Sequence, residues 1–391
     1  MEKEIAFIEI NKTKSLPEIA LTLSKHPELD KNFIINQING LQKAQKKLPE
    51  FYQNNNIIYP ATISIEQCSS EQTATFKTKI IRHSGLTPES HLIDLTGGFG
   101  IDTYYFSKQF KEVTYLEPNV ELFNVVQQNF KTLGAININF KNTTTEDFLN
   151  NNTQHFDIAY IDPSRRNESE KVFMLSDCIP NIIDLQEEIL KIADKILIKT
   201  SPILDIKQSI KELENVSEIW VVSLNNECKE VLYLVDKETP SEPNINTINI
   251  GKINQVFSFN YTNEENCSTH FSEPLNYLYE PNTSILKAGA FKSIAQKYQL
   301  KKIAQHTHLY TSENLVGNFP GRCFKINTVL PYQPKAFKKL GIKKANITCR
   351  NFIDSVAQIK KKLNCTDGGN NYVFAATDLN DNPIIIVTNK A

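Results

Sequence analysis

The chain has 391 residues, 40% of them hydrophobic, with a formal net charge of −1 at pH 7. That length predicts two or three domains; no apolar run approaches the roughly 20 residues that cross a bilayer, and the start, MEKEIAFIEINKTK, is too acidic for a signal peptide. Near neutrality excludes a global field for nucleic acid, and seven scattered cysteines without a CxxC pair argue against a metal site and for reduced thiols in the cytoplasm.

Residues 1–60 carry helix-like apolar spacing, as in NFIINQINGLQKAQKKLPEFY. ISIEQCSSEQTATFKTKIIRH (63–83) reads as a helix with a serine cap. From residue 91 the pattern alternates. HLIDLT is a strand, a glycine turn follows, and IDTYYFSKQF is a helix. EVTYLEP is a second strand, and the helix NVELFNVVQQNFKTLG stops at Gly134. AININF and FDIAYIDP are the third and fourth strands; helix DLQEEILKIADK leads to a fifth, ILIKTSP; helix LDIKQSIKELENV leads to EIWVVSL and EVLYLVD. Alternating strands and helices predict an α/β domain with a doubly wound parallel sheet. The short NNECK link allows only antiparallel neighbours, so the sheet ends in an antiparallel hairpin. KETPSEPNINT, polar and proline-bearing, marks a boundary. A new αβ unit begins at LNYLYEPNTSILKAGAFKSIAQKYQL. The last segment holds one helix pattern, CRNFIDSVAQIKKKL, and strands NYVFAAT and PIIIVTN. The predicted divisions are 1–85, 86–240, 241–275, 276–330 and 331–391.

The glycine turn lies in LIDLTGGFGID: Asp94 ends the first strand, and Thr96, Gly97, Gly98 and Gly100 precede a helix. A dinucleotide fingerprint needs a third glycine after Gly98-x-Gly100, and Thr103 stands there instead. S-adenosylmethionine has no phosphate. It asks for an acid near its ammonium and an acid that accepts from two ribose hydroxyls. Asp94 fits the first role. Glu117, in YLEPN with Pro118, fits the second. A strand–turn–helix with incidental acids is the plainer alternative.

These pieces, with FDIAYIDPSRR and the terminal hairpin, resemble the class I S-adenosylmethionine-dependent methyltransferases, with a Rossmann-like sheet. SIEQCSSEQTATFKTK looks like the helix that precedes the first strand in several RNA methyltransferases; the resemblance implies Gln67 and Ser70 near the methionine end of the cofactor. YLYEPNTSILKAGAF and LGIKKANITCRNF…LNCTDGGNNYVFAAT look like the bacterial methyltransferases with a C-terminal THUMP-like domain preceded by a small ferredoxin-like fold. The resemblance thus implies an N-terminal helical domain (1–85), the methyltransferase domain (86–240), a connecting β segment (241–275), a ferredoxin-like domain (276–330) and a THUMP-like domain (331–391). It implies a tRNA or rRNA partner, no membrane and no metal; oligomeric state is left open. The family usually has an acid after the third strand to hold the adenine amine. Here Thr144 stands there, followed by Glu146 and Asp147.

Enzymes that methylate exocyclic amines end the fourth strand in an acid or amide, two prolines and an aromatic. The amine lone pair is delocalised, so the acid and the next carbonyl take its hydrogens and aim it, while the aromatic stacks on the base. This chain keeps Asp162 and Pro163, then has Ser164, Arg165 and Arg166. Only five arginines stand among 43 basic residues. Guanidinium groups stack on splayed bases and bind phosphate. Asp162, Pro163 and Arg165 are therefore the candidate catalytic residues, with Asp162 also beside the cofactor and Arg165 and Arg166 gripping RNA. An ordinary ion pair with Glu168 or Glu170 is the plainer reading of the arginines.

Pro320–Cys365 holds eleven basic residues and one acid, Asp354. Lys338, Lys339, Lys343, Lys344 and Arg350 are the candidate RNA contacts, with Tyr332, Phe337 and Phe352 available for bases. Compositional lysine bias is the competing explanation. His306 and His308 read as ordinary histidines rather than metal ligands. Cys178 and Cys349 read as buried thiols. Lys199 and Ser201 lie at the ligand edge and either line the acceptor pocket or cap the strand. The expected function is methyl transfer from S-adenosylmethionine to a base of structured RNA in the cytoplasm. The alternatives are a small-molecule methyltransferase and a non-catalytic RNA-binding protein with this fold.

Overall fold

The computed structural model describes residues 2–165, 174–237 and 242–391. The chain divides into two units, 1–217 with 232–241 and 218–231 with 242–391. None of the helices in the described residues is long and apolar enough to cross a membrane.

The first unit opens with helices Glu2–Asn11, Leu16–Leu23, Lys31–Lys47 and Pro49–Tyr52. Ile8, Ile19, Leu23, Ile34 and Ile38 of the first three helices form a common core with Leu29 of the loop between the second and third. The capped helix expected within 63–83 is Glu71–His83, and a short helix, Thr62–Gln67, precedes it. Ser70 separates them. Its hydroxyl accepts from the Thr73 backbone N–H at 3.2 Å, satisfying a donor the helix start leaves orphaned.

Strands β1 (His91–Asp94), β2 (Glu112–Leu116), β3 (Ile138–Lys141) and β4 (Phe156–Ile161) are parallel neighbours in the order β3-β2-β1-β4. A two-stranded ribbon, β5 (Ser164–Arg165) with β6 (Cys178–Ile179), follows; nothing in the sequence pattern announced it. β7 (Ala193–Thr200) then pairs with β4 in parallel. Helices Ile101–Ser107, Val120–Thr132, Thr145–Asn151, Ile182–Ile192 and Ile206–Glu212 make the crossovers. β8 (Val216–Leu224) and β9 (Glu227–Asp236) are adjacent strands joined at Asn225 and Asn226, and β9 borders β7. Both asparagines have positive φ, 51° and 65°, the backbone a two-residue hairpin turn requires.

In the second unit β10 (Asn244–Ile250) runs parallel to β8, with Asn246 opposite Trp220, and antiparallel to β11 (Gln255–Phe259). β12 (Tyr277–Pro281), β13 (Lys301–Lys302), β14 (Tyr310–Ser312), β15 (Gly321–Pro331), β16 (Asn346–Arg350), β17 (Tyr372–Thr377) and β18 (Pro383–Lys390) form one seven-stranded sheet, ordered β13-β14-β12-β15-β18-β17-β16. Both faces of its centre are covered. Val373, Ala375, Ile385 and Val387 pack with Phe337, Ile359 and Leu363, whereas Phe374, Ala376, Ile384 and Ile386 pack with Leu278 and Phe324. That is why β17 and β18 read as continuous apolar runs rather than alternating ones. The helix expected over CRNFIDSVAQIKKKL is instead the end of β16, a break at Asn351 (φ 49°), and helix Val356–Leu363 capped by Ser355.

Candidate active site

Register places the acids. Asp94 of β1 lies opposite Tyr115 of β2 and Tyr160 of β4. Glu117 and Asp162 each follow two residues after these partners, so three carboxylates reach the carboxyl edge of the sheet, where doubly wound folds bind ligands.

Asp94 is 1% exposed. Its Oδ1 accepts from the Thr96 backbone N–H at 3.1 Å, and its Oδ2 accepts from the Thr103 hydroxyl at 2.5 Å. Burial pushes its carboxyl up to about 7, and the charges of Asp102 and Asp162 push the same way. No cation pairs with it among the described residues. Glu117 accepts from the backbone N–H groups of Gly98 (3.0 Å) and Asn119 (2.8 Å); burial raises its pKa against those two bonds.

The glycines differ in purpose. A Cβ on Gly97 would meet the Tyr115 ring at 2.1 Å and the Leu116 carbonyl at 2.8 Å, so close packing excludes any side chain. Gly98 has φ +54°, and a Cβ there would find only the Thr96 carbonyl, at 3.8 Å. The space over Gly98, bordered by Glu117, is what a ligand approaching the backbone needs. Gly100 has φ +76° and packs on Phe130. The Thr96 hydroxyl accepts from the Asp162 backbone N–H at 2.6 Å, tying the turn to the end of β4. Pro118, in the loop after β2, offers its carbonyl to Asn142 at 3.2 Å.

Other expected residues have different places. Ser70 is a helix cap, and Gln67 is exposed at the end of its short helix. Thr144 caps helix Thr145–Asn151 by accepting from Asp147, while buried Thr145 donates to the Leu95 carbonyl at 2.8 Å. Pro163 is buried. Asp162 is ion-paired through Oδ2 to Lys199 at the end of β7, a role that sequence left undecided. Arg165 contributes its backbone to β5; its side chain, Arg166, Glu168 and Glu170 lie outside the described residues.

Sequence reasoning missed a buried network beneath the turn. Lys77, wholly buried, lies 3.2 Å from Asp102 Oδ1. The Ser69 and Tyr160 hydroxyls donate to Asp102 Oδ2 at 2.7 and 2.8 Å. Burial is the largest influence on Asp102 and acts upward, but Lys77, Lys199 and the two hydroxyls together hold its carboxyl below the ordinary value. One signal was available: Lys77 sits at a core position of its helix, beside buried Ala74, Ile80 and Ile81.

In the second unit Lys338, Lys339, Lys343 and Lys344 are exposed. Arg350, partly exposed, has its Nη2 2.7 Å from Glu280, a buried carboxylate that also accepts from Arg322 Nε at 2.7 Å. Phe337, expected near bases, is 1% exposed in the core, and Tyr332 donates its hydroxyl to Asp354 at 2.7 Å. The His308 ring stacks on Phe291 at 3.6 Å, and burial lowers its pKa to about 4. Among the described residues there is no group of three or more His, Cys, Asp or Glu placed to hold a metal.

Comparison with known proteins bears on the fold. Residues 73–219 match the family described as conserved hypothetical protein 95, residues 277–320 a ferredoxin-like domain, and residues 321–390 a THUMP domain-like family. A crystal structure from Porphyromonas gingivalis W83, titled a "putative methyltransferase", is 28% identical, with a TM-score of 0.87 over 100% of this chain and 98% of that one. Slighter likenesses include an rRNA methylase from Streptococcus thermophilus (16% identity, TM-score 0.31, 42% of this chain and 94% of that one) and a Streptococcus mutans protein solved with SAH (13%, 0.31, 43% and 97%). No curated protein sequence matches the chain. The fold is that of a class I methyltransferase. Along the chain, the match to the conserved hypothetical protein 95 family is followed by a ferredoxin-like match and then a THUMP-like match.

Proposed function

We propose that this protein transfers a methyl group from S-adenosylmethionine to a base of structured RNA, tRNA or rRNA, in the cytoplasm. The observation that carries the reading is the convergence of Asp94, Glu117 and Asp162 on one sheet edge, around a Gly98 that is open above its backbone. Asp94, buried with no cation beside it among the described residues, suits the cofactor's ammonium. Glu117 retains lone pairs for the ribose hydroxyls, and the cradle at Gly98 admits the nucleoside. The cofactor supplies an electrophilic methyl on a sulfonium. The protein's part is to aim the acceptor: Asp162 and the following carbonyl take hydrogens from a base amine and hold its lone pair in line. The THUMP-like domain and its exposed lysines support RNA as the substrate class, and Arg165 and Arg166 are proposed to grip it near the site.

The test is transfer of labelled methyl to bulk RNA by the purified chain. Asp162→Ala is expected to lower turnover about 100-fold or more with cofactor affinity retained, and Arg165→Ala to lower it through RNA binding. Glu117→Ala is expected to abolish cofactor binding. Full turnover in both Asp162→Ala and Arg165→Ala defeats the proposal. Cofactor binding without transfer to any RNA points to a small-molecule acceptor.

A further inference from the structure

We infer that Lys199 is a positioning residue of the acceptor site, clamping Asp162 so that one carboxylate oxygen alone faces the group to be methylated. The inference rests on the functional reading above and deepens it.

The geometry begins with strand register. Ile161 of β4 lies opposite Ile198 of β7, so Asp162 and Lys199 are the next pair along two parallel strands, at the ligand edge. The Asp162 backbone N–H is already committed to Thr96, and Pro163 follows it. Lys199 then takes Oδ2, which leaves Oδ1 for a substrate hydrogen. Backbone and side chain are thus both anchored, the former to the cofactor turn and the latter to the neighbouring strand.

A strand-end cap is the plainer explanation, and the surroundings weigh against it. A lysine at a strand end usually lays its stem along apolar surface and keeps its charged head in water, where an ion pair contributes little. The Lys199 side chain is 11% exposed, so it has given up most of its hydration to stay inside the site. Its charge also reaches Asp102, where it acts in the same direction as Lys77. Lys199 therefore serves two acids, Asp162, which it touches, and Asp102, which also has Lys77, while Asp94 has no cation of its own among the described residues. This arrangement neutralises the acceptor acid and leaves the cofactor acid available to a cationic ligand. A fixed carboxylate matters because a base amine reacts only when its lone pair points at the methyl carbon, and a freely rotating acid loses that alignment.

β7 supplies an internal control. Lys195, four residues earlier, makes a similar half-buried pair with Asp236. The experiment compares Lys199→Met, Lys199→Arg and Lys195→Met in the full chain. Melting temperature, cofactor affinity, RNA affinity, kcat and KM are measured with RNA that the wild type methylates. Lys199→Met is expected to keep both affinities within about threefold and to lose kcat by about 30-fold or more, within the range of a lost acceptor-orienting group. Lys199→Arg is expected to recover most of that loss, since a guanidinium holds a carboxylate equally well. Lys195→Met is expected to retain full kcat. A Lys199→Met enzyme with wild-type kcat, or one that loses kcat only as much as Lys195→Met does, overturns the inference. A wild-type chain that binds cofactor yet methylates no RNA overturns the functional reading, and this inference with it.

Discussion

Asp94 shows how one buried acid links pH to stability and, on the proposed function, to cofactor binding. Its folded-state pKa is about 7 against an ordinary value of 3.8. The native chain therefore binds a proton more tightly than the unfolded one. The resulting stabilisation is complete below pH 4 and is lost as pH rises to 7, a swing of roughly 4 kcal/mol. Asp94→Asn is expected to remove that slope in urea unfolding at stepped pH. Cofactor binding should run the other way, because a cationic ligand prefers the ionised acid. Affinity should rise up to about tenfold per pH unit between about 5.5 and 7, with a proton released, as calorimetry in buffers of different ionisation enthalpy would show. A few residues along the turn, sterics take over from charge. Gly97→Ala is expected to prevent folding or to cost about 3 kcal/mol or more through overpacking on Tyr115. Gly98→Ala should cost only the left-handed backbone penalty, about 1–2 kcal/mol, and should weaken cofactor binding more than it lowers the melting temperature.

Among the elements, helix Glu71–His83 does more than lie against the sheet. Its Lys77 joins Asp102 on the helix that follows the glycine turn, with Ser69 and Tyr160 completing the network. Thr103, the next residue on that helix, holds Asp94. The N-terminal segment is thereby connected to Asp94 through one buried ion pair. Removing one partner of such a pair strands a charge, so Lys77→Met is expected to cost about 3–5 kcal/mol. Adding Asp102→Asn, which still accepts from Ser69 and Tyr160, should recover at least half of that in denaturant titration. Asp102 has the opposite pH signature to Asp94. Its folded value is depressed, so its contribution is present above the unfolded pKa and vanishes as pH falls through the folded one.

On the scale of the whole molecule, the ferredoxin-like and THUMP-like parts share one seven-stranded sheet. β12 of the first pairs with β15 of the second. Deleting residues from 321 onward would expose a sheet edge, so RNA binding is better tested by side-chain change in the intact chain. Replacing Lys338, Lys339, Lys343 and Lys344 together by Ala is expected to weaken RNA binding uniformly across sequences. The line of log affinity against log salt should also flatten, by about 0.7 for each single-strand phosphate that the variant no longer neutralises. Arg350→Ala belongs to a different class. It should destabilise the sheet by removing a partner from buried Glu280.

What the sequence alone determined was local. Glycines before a helix, acids at strand ends, a serine cap and a short link that only antiparallel strands can use are written in neighbouring residues, because dihedral preference and apolar period act over a few positions. Asp94, Glu117, Asp162 and the αβ alternation were legible for that reason. Partnership was decided only by the tertiary structure. Lys199 and Asp162 are 37 residues apart, and Arg322 and Glu280 are 42 apart; no local rule chooses such pairs. Lys77 was visible as a lysine on an apolar face, yet its acid was not. The misplacement of Phe337 has the same cause: it reads as an aromatic within a basic stretch, and burial against distant residues assigned it to the core. A charge acquires its meaning from what the fold brings within a few ångströms of it.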